Sequence, residues 1–385
     1  MKRIDSIDVV RGLVMVIMAL DHVRDLLHLP ALTQDPTDLT TTTPGLFLTR
    51  WITHLCAPTF VFLSGTSAWL SLRRRTPAEA RTWLAKRGLV LIGLELTLIN
   101  FAFWTDFGYH SLMLQVIFAI GAGLLLLALL IRWPIRWLLG LGLGIIMLHD
   151  LLLLVPAFTN PAARLGWSLL FRTELFPVSP AFMLLVAYPI VPWFGLMLVG
   201  FAAGPVFARP ATDRQRALWQ LGLLSLALFL VLRVINLYGD SRPWAVQATP
   251  VNTVLSFLNV SKYPPSLQYD ALMLGLLFLL LALADGADNR LTRLLRVYGA
   301  VPLFYYLLHW YLVKGAMIGM MLVQGYGFSD LVIGPLSFGR PPGAGVSLPV
   351  VYLVWLGIVA LLYPLCRWYG LYKAAHPRQW LTRYI

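Results

Sequence analysis

Long apolar runs alternate along the chain with short polar segments, and the runs match the roughly 20 residues that a helix needs to cross a bilayer core. They predict ten spans, at 9–28, 51–72, 88–104, 111–131, 136–156, 184–206, 217–237, 267–284, 298–323 and 347–367. The segments between them fall into two classes. Short basic ones occupy 73–87, 131–136, 207–216, 285–297 and the stretch after Arg367; longer ones rich in Pro, Thr and Asn occupy 29–50, 157–183, 238–266 and 324–346. The two classes lie on opposite sides, and loops rich in Lys and Arg stay cytoplasmic. The expected architecture is therefore an all-α, polytopic transmembrane helix bundle of about ten spans, with both termini cytoplasmic. Residues 1–385 are expected to form a single domain, and they show no internal repeat or low-complexity run.

Composition sharpens the class. Hydrophobic residues make up 59% of the 385, charged residues 12%, and mean hydropathy is +0.75, outside soluble averages. Trp51, Trp104, Trp133, Trp137, Trp193, Trp310 and Trp368 sit near the ends of apolar runs, as an interfacial belt does. The net charge of +13 raises nucleic acid as a partner. Its placement argues against it, since the cations concentrate in membrane-flanking loops such as "RRRTPAEARTWLAKR" (73–87); the expected partner is membrane lipid, with no nucleic acid. The first run follows "MKR" as a signal peptide would, but it carries charges and lacks a small-residue cleavage site, so it is read as a retained helix. The stretch "PAARLGWSLLFRTELF" is long enough for a helix lying in the interface. The tail "KAAHPRQWLTRYI" reads as a basic, aromatic anchor. Cys56 and Cys366 have no metal or redox spacing and read as buried small residues.

Ionisable residues inside spans carry the candidate chemistry, because each costs several kcal/mol at bilayer depth and so faces a bundle interior or a wet cavity. In the first span Arg11 and His22 are eleven steps apart. At about 100° per step they return to within about 20° of one direction, about 16 Å apart along the axis. Asp25 falls about 40° and Asp21 about 80° to one side, giving one polar stripe, while Arg24 points away and is expected to tolerate substitution. The bland alternative is that Arg11 snorkels and the Asp/His group lies among headgroups. The chemical one is that Asp25 or Asp21 orients the His22 imidazole and raises its basicity, as general-base catalysis requires.

Further candidates share this logic. Arg50 and His54 lie one turn apart ahead of "CAPTFVFLSGTSAW", where Ser64, Gly65, Thr66 and Ser67 permit close helix packing; His54 is either a structural hydrogen-bonder or a site residue. Glu95 and Asn100 are expected to pair with a neighbouring helix. The stretch "NVSKYPPSLQYD" (259–270) contributes Asn259, Lys262 and Tyr263 as candidate substrate contacts, with Lys262 suited to an anionic group. His309 sits mid-span, one turn after Tyr305 and beside Trp310, and His149–Asp150 repeat the Asp/His pairing. No metal-ligand spacing, nucleophile elbow or phosphate-binding loop is present.

At "IDSIDVVRGLVMVIMALDHVRD" (4–25) the chain resembles the heparan-alpha-glucosaminide N-acetyltransferase family of membrane acyltransferases. More distantly it is similar to bacterial polysaccharide O-acetyltransferases, whose first helix carries Arg, ten residues, then His, as Arg11 and His22 do here. "APTFVFLSGTS" (57–67), "YPIVPWFGLMLVGFAAG" (188–204), "NVSKYPPSLQYD" and "VPLFYYLLHWYLV" (301–313) resemble the family's helices in order. The resemblance implies a bundle that takes an acetyl group from cytosolic acetyl-CoA and passes it to an amino or hydroxyl group of a saccharide or glycan on the opposite side, without a metal, in a bacterial inner membrane. The lysosomal member has asparagine where His22 stands, and its proposed catalytic histidine lies in the loop after the first helix, where residues 29–50 here contain none. His28 or His54 substitutes, or His22 serves directly. On this footing His22, Asp25 and Asp21 are the catalytic candidates, Arg11, His309 and Tyr305 the acetyl-CoA contacts, and His54, Asn259, Lys262 and Tyr263 the acceptor contacts. A homodimer stays open. The rival class is a proton-coupled transporter, since intramembrane Asp/His pairs also build proton relays; the absence of repeated halves favours the enzyme.

Overall fold

The computed structural model describes residues 4–73, 75–156, 158–332, 334, 337–377, 379 and 382. The leading "MKR", Arg74 and much of the C-terminal anchor, including Arg378, Trp380 and Arg383, lie outside the described residues. The helices in chain order are α1 (Asp5–Leu27), α2 (Pro44–Ile52), α3 (Cys56–Leu72), α4 (Pro77–Leu94), α5 (Asn100–Trp104), α6 (Val116–Leu130), α7 (Ile135–Leu148) and α8 (Pro161–Phe171). They continue with α9 (Ile190–Ala202), α10 (Gly204–Phe207), α11 (Ala211–Ile235), α12 (Pro250–Leu258), α13 (Leu267–Ala284), α14 (Arg290–Gly299), α15 (Pro302–Val323) and α16 (Leu348–Ala375). Each predicted span contains a helix, and among the described residues eight helices or joined helix pairs are long and apolar enough to cross a membrane. The two remaining windows hold α1, interrupted by charges, and α6, only 15 residues long. Large apolar side chains such as Leu224, Val234 and Leu353 project from the bundle surface, as expected of helices solvated by lipid.

Helix α1 packs against α3, α13, α14, α15 and α16, so most of its length is buried and its charges have protein neighbours. Its approach to α14 requires glycine: a Cβ on Gly12 would lie 1.9 Å from the Leu295 carbonyl oxygen, and one on Gly299 would lie 1.8 Å from that of Asp8. The small-residue run on α3 acts in the same way against α9. Gly65 abuts the Met197 carbonyl, and the Thr66 hydroxyl donates to the Gly200 carbonyl at 2.8 Å.

Two windows expected to be helical throughout begin as strands. β1 (Ser111–Leu114), β2 (Glu174–Ser179) and β3 (Phe182–Val186) form a small sheet in the order β1-β3-β2, with β1 parallel to β3 and β2 antiparallel to it. Ser111 pairs with Met183 and Leu114 with Val186, and the β2–β3 register shifts between Pro177 and Ser179. The reason is local hydrogen bonding. The Asn100 side chain accepts from the Met113 N–H at 2.7 Å and donates to its carbonyl at 3.0 Å, occupying the place of a neighbouring strand. Asp106 takes the N–H groups of Gly108 and His110, closing the turn after Thr105 has left the helix at φ +53°. The segment expected to lie as one helix in the interface is α8 followed by β2. Glu95 and Asn100, expected to pair with a neighbouring helix, both bond to the segment that leads into α6: Glu95 accepts the Gln115 N–H at 2.9 Å, directly ahead of α6, and Asn100 binds Met113 of β1.

Candidate active site

Two cavities lie along α1, one at each end of the stripe. The first, of about 260 Å³, is lined by Asp21, His22 and Asp25 of α1, Arg50 of α2, and Lys262 and Tyr263 of the 259–266 connector. Leu185 and Ala187 close one wall from β3 and the residue after it, and Phe338 reaches it from the loop before α16. The second, of about 230 Å³, is lined by Arg11, Ser64 and Ser67 together with Trp83, Arg87 and Lys373. The spacing of Arg11 and His22 thus places one in each cavity, about 16 Å apart by helical rise.

His22 does not use a carboxylate as its partner. Its Nδ1 lies 2.7 Å from Nε2 of His309 on α15, and Nδ1 of His309 lies 3.3 Å from the Tyr305 carbonyl oxygen. A carbonyl only accepts, so Nδ1 of His309 carries the proton. With both rings neutral, Nε2 of His309 then accepts from His22 Nδ1–H, and Nε2 of His22 is left with its lone pair. No described residue hydrogen-bonds that nitrogen, and the ring lines the cavity. Trp310 stacks on His22 with ring centroids 3.9 Å apart, fixing the ring plane.

The two aspartates expected to orient His22 are engaged elsewhere. One Arg24 terminal nitrogen lies 2.6 Å from Asp21 and 2.5 Å from Asp25, while Arg50 holds the other Asp21 oxygen at 2.6 Å. Arg24 is therefore not the outward-facing residue that the helical count gave: it is 1% exposed and at the centre of this network. Counting from Arg11 describes direction but not the neighbours on the far side, which here bury Arg24.

The remaining candidates divide. Lys262 and Tyr263 line the first cavity, with the ammonium 5.1 Å from the Tyr263 ring centre. Enclosure raises the Tyr263 phenol, but Lys262 and Arg50 outweigh it and hold its pKa below the ordinary tyrosine value. Tyr188 stands edge-on to Tyr263, extending an aromatic wall. His54 is buried behind that wall, edge-on to Tyr269, whose hydroxyl donates to the His54 carbonyl; it lines neither cavity. Asn259 donates to the Thr37 carbonyl and accepts from Arg233 through its own carbonyl, so it braces the connector. His309 and Tyr305 are fully buried and stand behind His22, away from the Arg11 cavity that their expected role required. His149–Asp150 also brace the connector, with His149 Nε2 2.6 Å from the Pro265 carbonyl and Asp150 accepting from the Leu267 N–H.

Sequence reasoning passed over three contributors. The Arg24 hub has no signal in helical spacing alone. Phe338 sits in a loop, held over the cavity by Lys314, which donates to its carbonyl, and by stacking on Trp104. Arg340 donates to the His28 carbonyl at 2.7 Å and ties the same loop to the end of α1; burial lowers its pKa to about 10 against the opposing pull of Asp25. A lysine mid-span was a readable signal, since its cost demands such partners.

In the second cavity Arg11 donates to the Ser67 hydroxyl at 3.0 Å and pairs with Asp8, and the guanidinium groups of Arg87, in its lining, and of Arg75, beyond it, lie 5.4 and 4.8 Å from the Trp83 ring centre. Cations beside a half-buried aromatic surface suit a phosphorylated, aromatic ligand. A comparison with curated proteins finds no match. Residues 3–234 match the family model described as heparan-alpha-glucosaminide N-acetyltransferase, catalytic, which takes in α1 to α11 with Arg11, Asp21, His22, Asp25 and Arg50 but stops short of Lys262 and His309. That match spans more than half of the chain, and the chain belongs to this family of membrane acetyltransferases.

Proposed function

We propose that the protein transfers an acetyl group from cytosolic acetyl-CoA, held in the Arg11 cavity, to an amino or hydroxyl group of a sugar or glycan held in the His22 cavity on the opposite side of the membrane. The observation that carries this reading is the ordered chain from the Tyr305 carbonyl through His309 to His22, which leaves His22 Nε2 as a base facing the cavity. The basic loops support a cytoplasmic position for the Arg11 end, in keeping with a bacterial inner membrane.

Thioesters are already activated, so the protein has to position the reactants, accept one proton and stabilise an oxyanion. Arg11, Arg87 and Lys373 supply cations for the phosphates of the donor, and Trp83 supplies a surface for its base. His22 Nε2 removes the proton from the acceptor nitrogen or oxygen as that atom bonds to the acyl carbon. The carbon–sulfur bond breaks with its electron pair on sulfur, and His22 returns the proton to the departing thiolate. Lys262, beside His22 and without a carboxylate partner within 4 Å among the described residues, is placed to face developing negative charge. The aromatic wall of Tyr188, Tyr263, Trp310 and Phe338 offers the apolar faces against which a sugar ring packs.

The test uses proteoliposomes with labelled acetyl-CoA on the basic-loop side and amino sugars or glycans on the other. Label reaches the acceptor with the wild-type chain, and His22→Ala lowers the rate by roughly 100-fold or more. Transfer left intact in His22→Ala overturns the base, and acceptor uptake without acetylation overturns the enzyme in favour of a transporter.

A further inference from the structure

Phe60, Val116 and Tyr306 line both cavities. Every other lining residue belongs to one side, so these three side chains stand between the Arg11 and His22 compartments. They come from the starts of three helices: Phe60 from α3, Val116 from the first position of α6 and Tyr306 from α15. Two of the three are held. Tyr306 donates to the Gln115 side chain at 3.4 Å, and Gln115 is fixed by its N–H on Glu95 at 2.9 Å. Val116 is β-branched on a helix, where essentially one side-chain rotamer is open. Phe60 has no polar atom to tether, is only partly buried, and turns about two side-chain bonds.

We propose that this trio is the gate through which an acyl-thioester arm passes to reach His22, and that Phe60 is its movable leaf, setting the length of acyl chain the enzyme accepts. The inference rests on the two-compartment transfer described above. With Phe60 and Val116 beside it, the partition is apolar except at the Tyr306 hydroxyl, which Gln115 engages, and so narrows the path for water between the two cavities when the arm is absent. When the arm is present, Phe60 lies against the acyl end, and each added methylene competes with its ring for the same space.

The experiment compares wild type with Phe60→Ala and Phe60→Leu, using the full chain purified in detergent and the same proteins in proteoliposomes. Binding and transfer are measured with acetyl-, butyryl- and hexanoyl-CoA. The hexanoyl-to-acetyl ratio, in affinity and in rate, rises roughly tenfold or more in Phe60→Ala, the lower end of what a single methylene is worth in an apolar pocket, and by less in Phe60→Leu. A ratio equal to wild type in both variants, with acetyl-CoA bound normally, overturns the gate alone. No binding of any CoA thioester by the wild-type chain overturns the two-compartment reading and the gate with it. Because the readout is a ratio within each variant, a general loss of stability does not mimic it.

Discussion

Arg24 and His309 carry most of what side-chain neighbours add to the site. Arg24 compensates two carboxylates from a position 1% exposed, so its removal leaves the buried Asp21, beside the partly exposed Asp25, short of one of its two cations. Arg24→Leu is expected to cost about 3–5 kcal/mol, the range for breaking a buried pair, seen as a large drop in melting temperature in detergent, with Arg24→Lys intermediate. An unchanged melting temperature in Arg24→Leu means that the network contributes nothing. His309 acts through His22, and its role is to accept the Nδ1–H. His309→Leu should lower transfer by roughly 100-fold, the lower end of what a positioned acid–base group contributes. His309→Gln, whose side-chain oxygen accepts in the same place, should recover a good part of that. Equal losses in the two variants at equal expression show that His309 only fills space.

At the scale of elements, the small-residue run 64–67 was legible as a close-packing surface, and its partner was not. Only the assembled bundle brings it to Gly200 of α9. A Cβ on Gly65 would meet the Met197 carbonyl at 2.1 Å, and backbone cannot move aside as a side chain can. Gly65→Ala is therefore expected to destabilise the chain by about 1–3 kcal/mol or more. Gly93→Ala on α4, where nothing lies within 4 Å, should be neutral or stabilising by up to about 1 kcal/mol through helix propensity. Thermal unfolding of the two variants side by side checks the contrast, which disappears if α3 and α9 do not meet here. The strands show the opposite limit of sequence reading. An apolar run of this length carries no periodicity that separates a buried strand from a helix, and what decided 111–114 was the Asn100 side chain, a partner thirteen residues away from Met113.

For the whole molecule, hydrophobic run length and the placement of Lys and Arg were enough to give a helical membrane bundle, because both follow from the bilayer as solvent and need no knowledge of contacts. The Arg11–His22 spacing was legible for a similar reason, since helical geometry alone places the two residues on one face. What the sequence left open was decided by which helices surround α1. Arg50 and Arg24 arrive at Asp21 and Asp25, and those carboxylates balance charge rather than steer the imidazole. His309, 287 residues from His22, arrives at the ring and sets its tautomer. Phe60, Val116 and Tyr306 converge from three helices to divide the interior into two compartments. Residue type and local period are properties of a segment, whereas a hydrogen-bond partner or a shared cavity wall is a property of distant segments brought together, and only the tertiary structure fixes those.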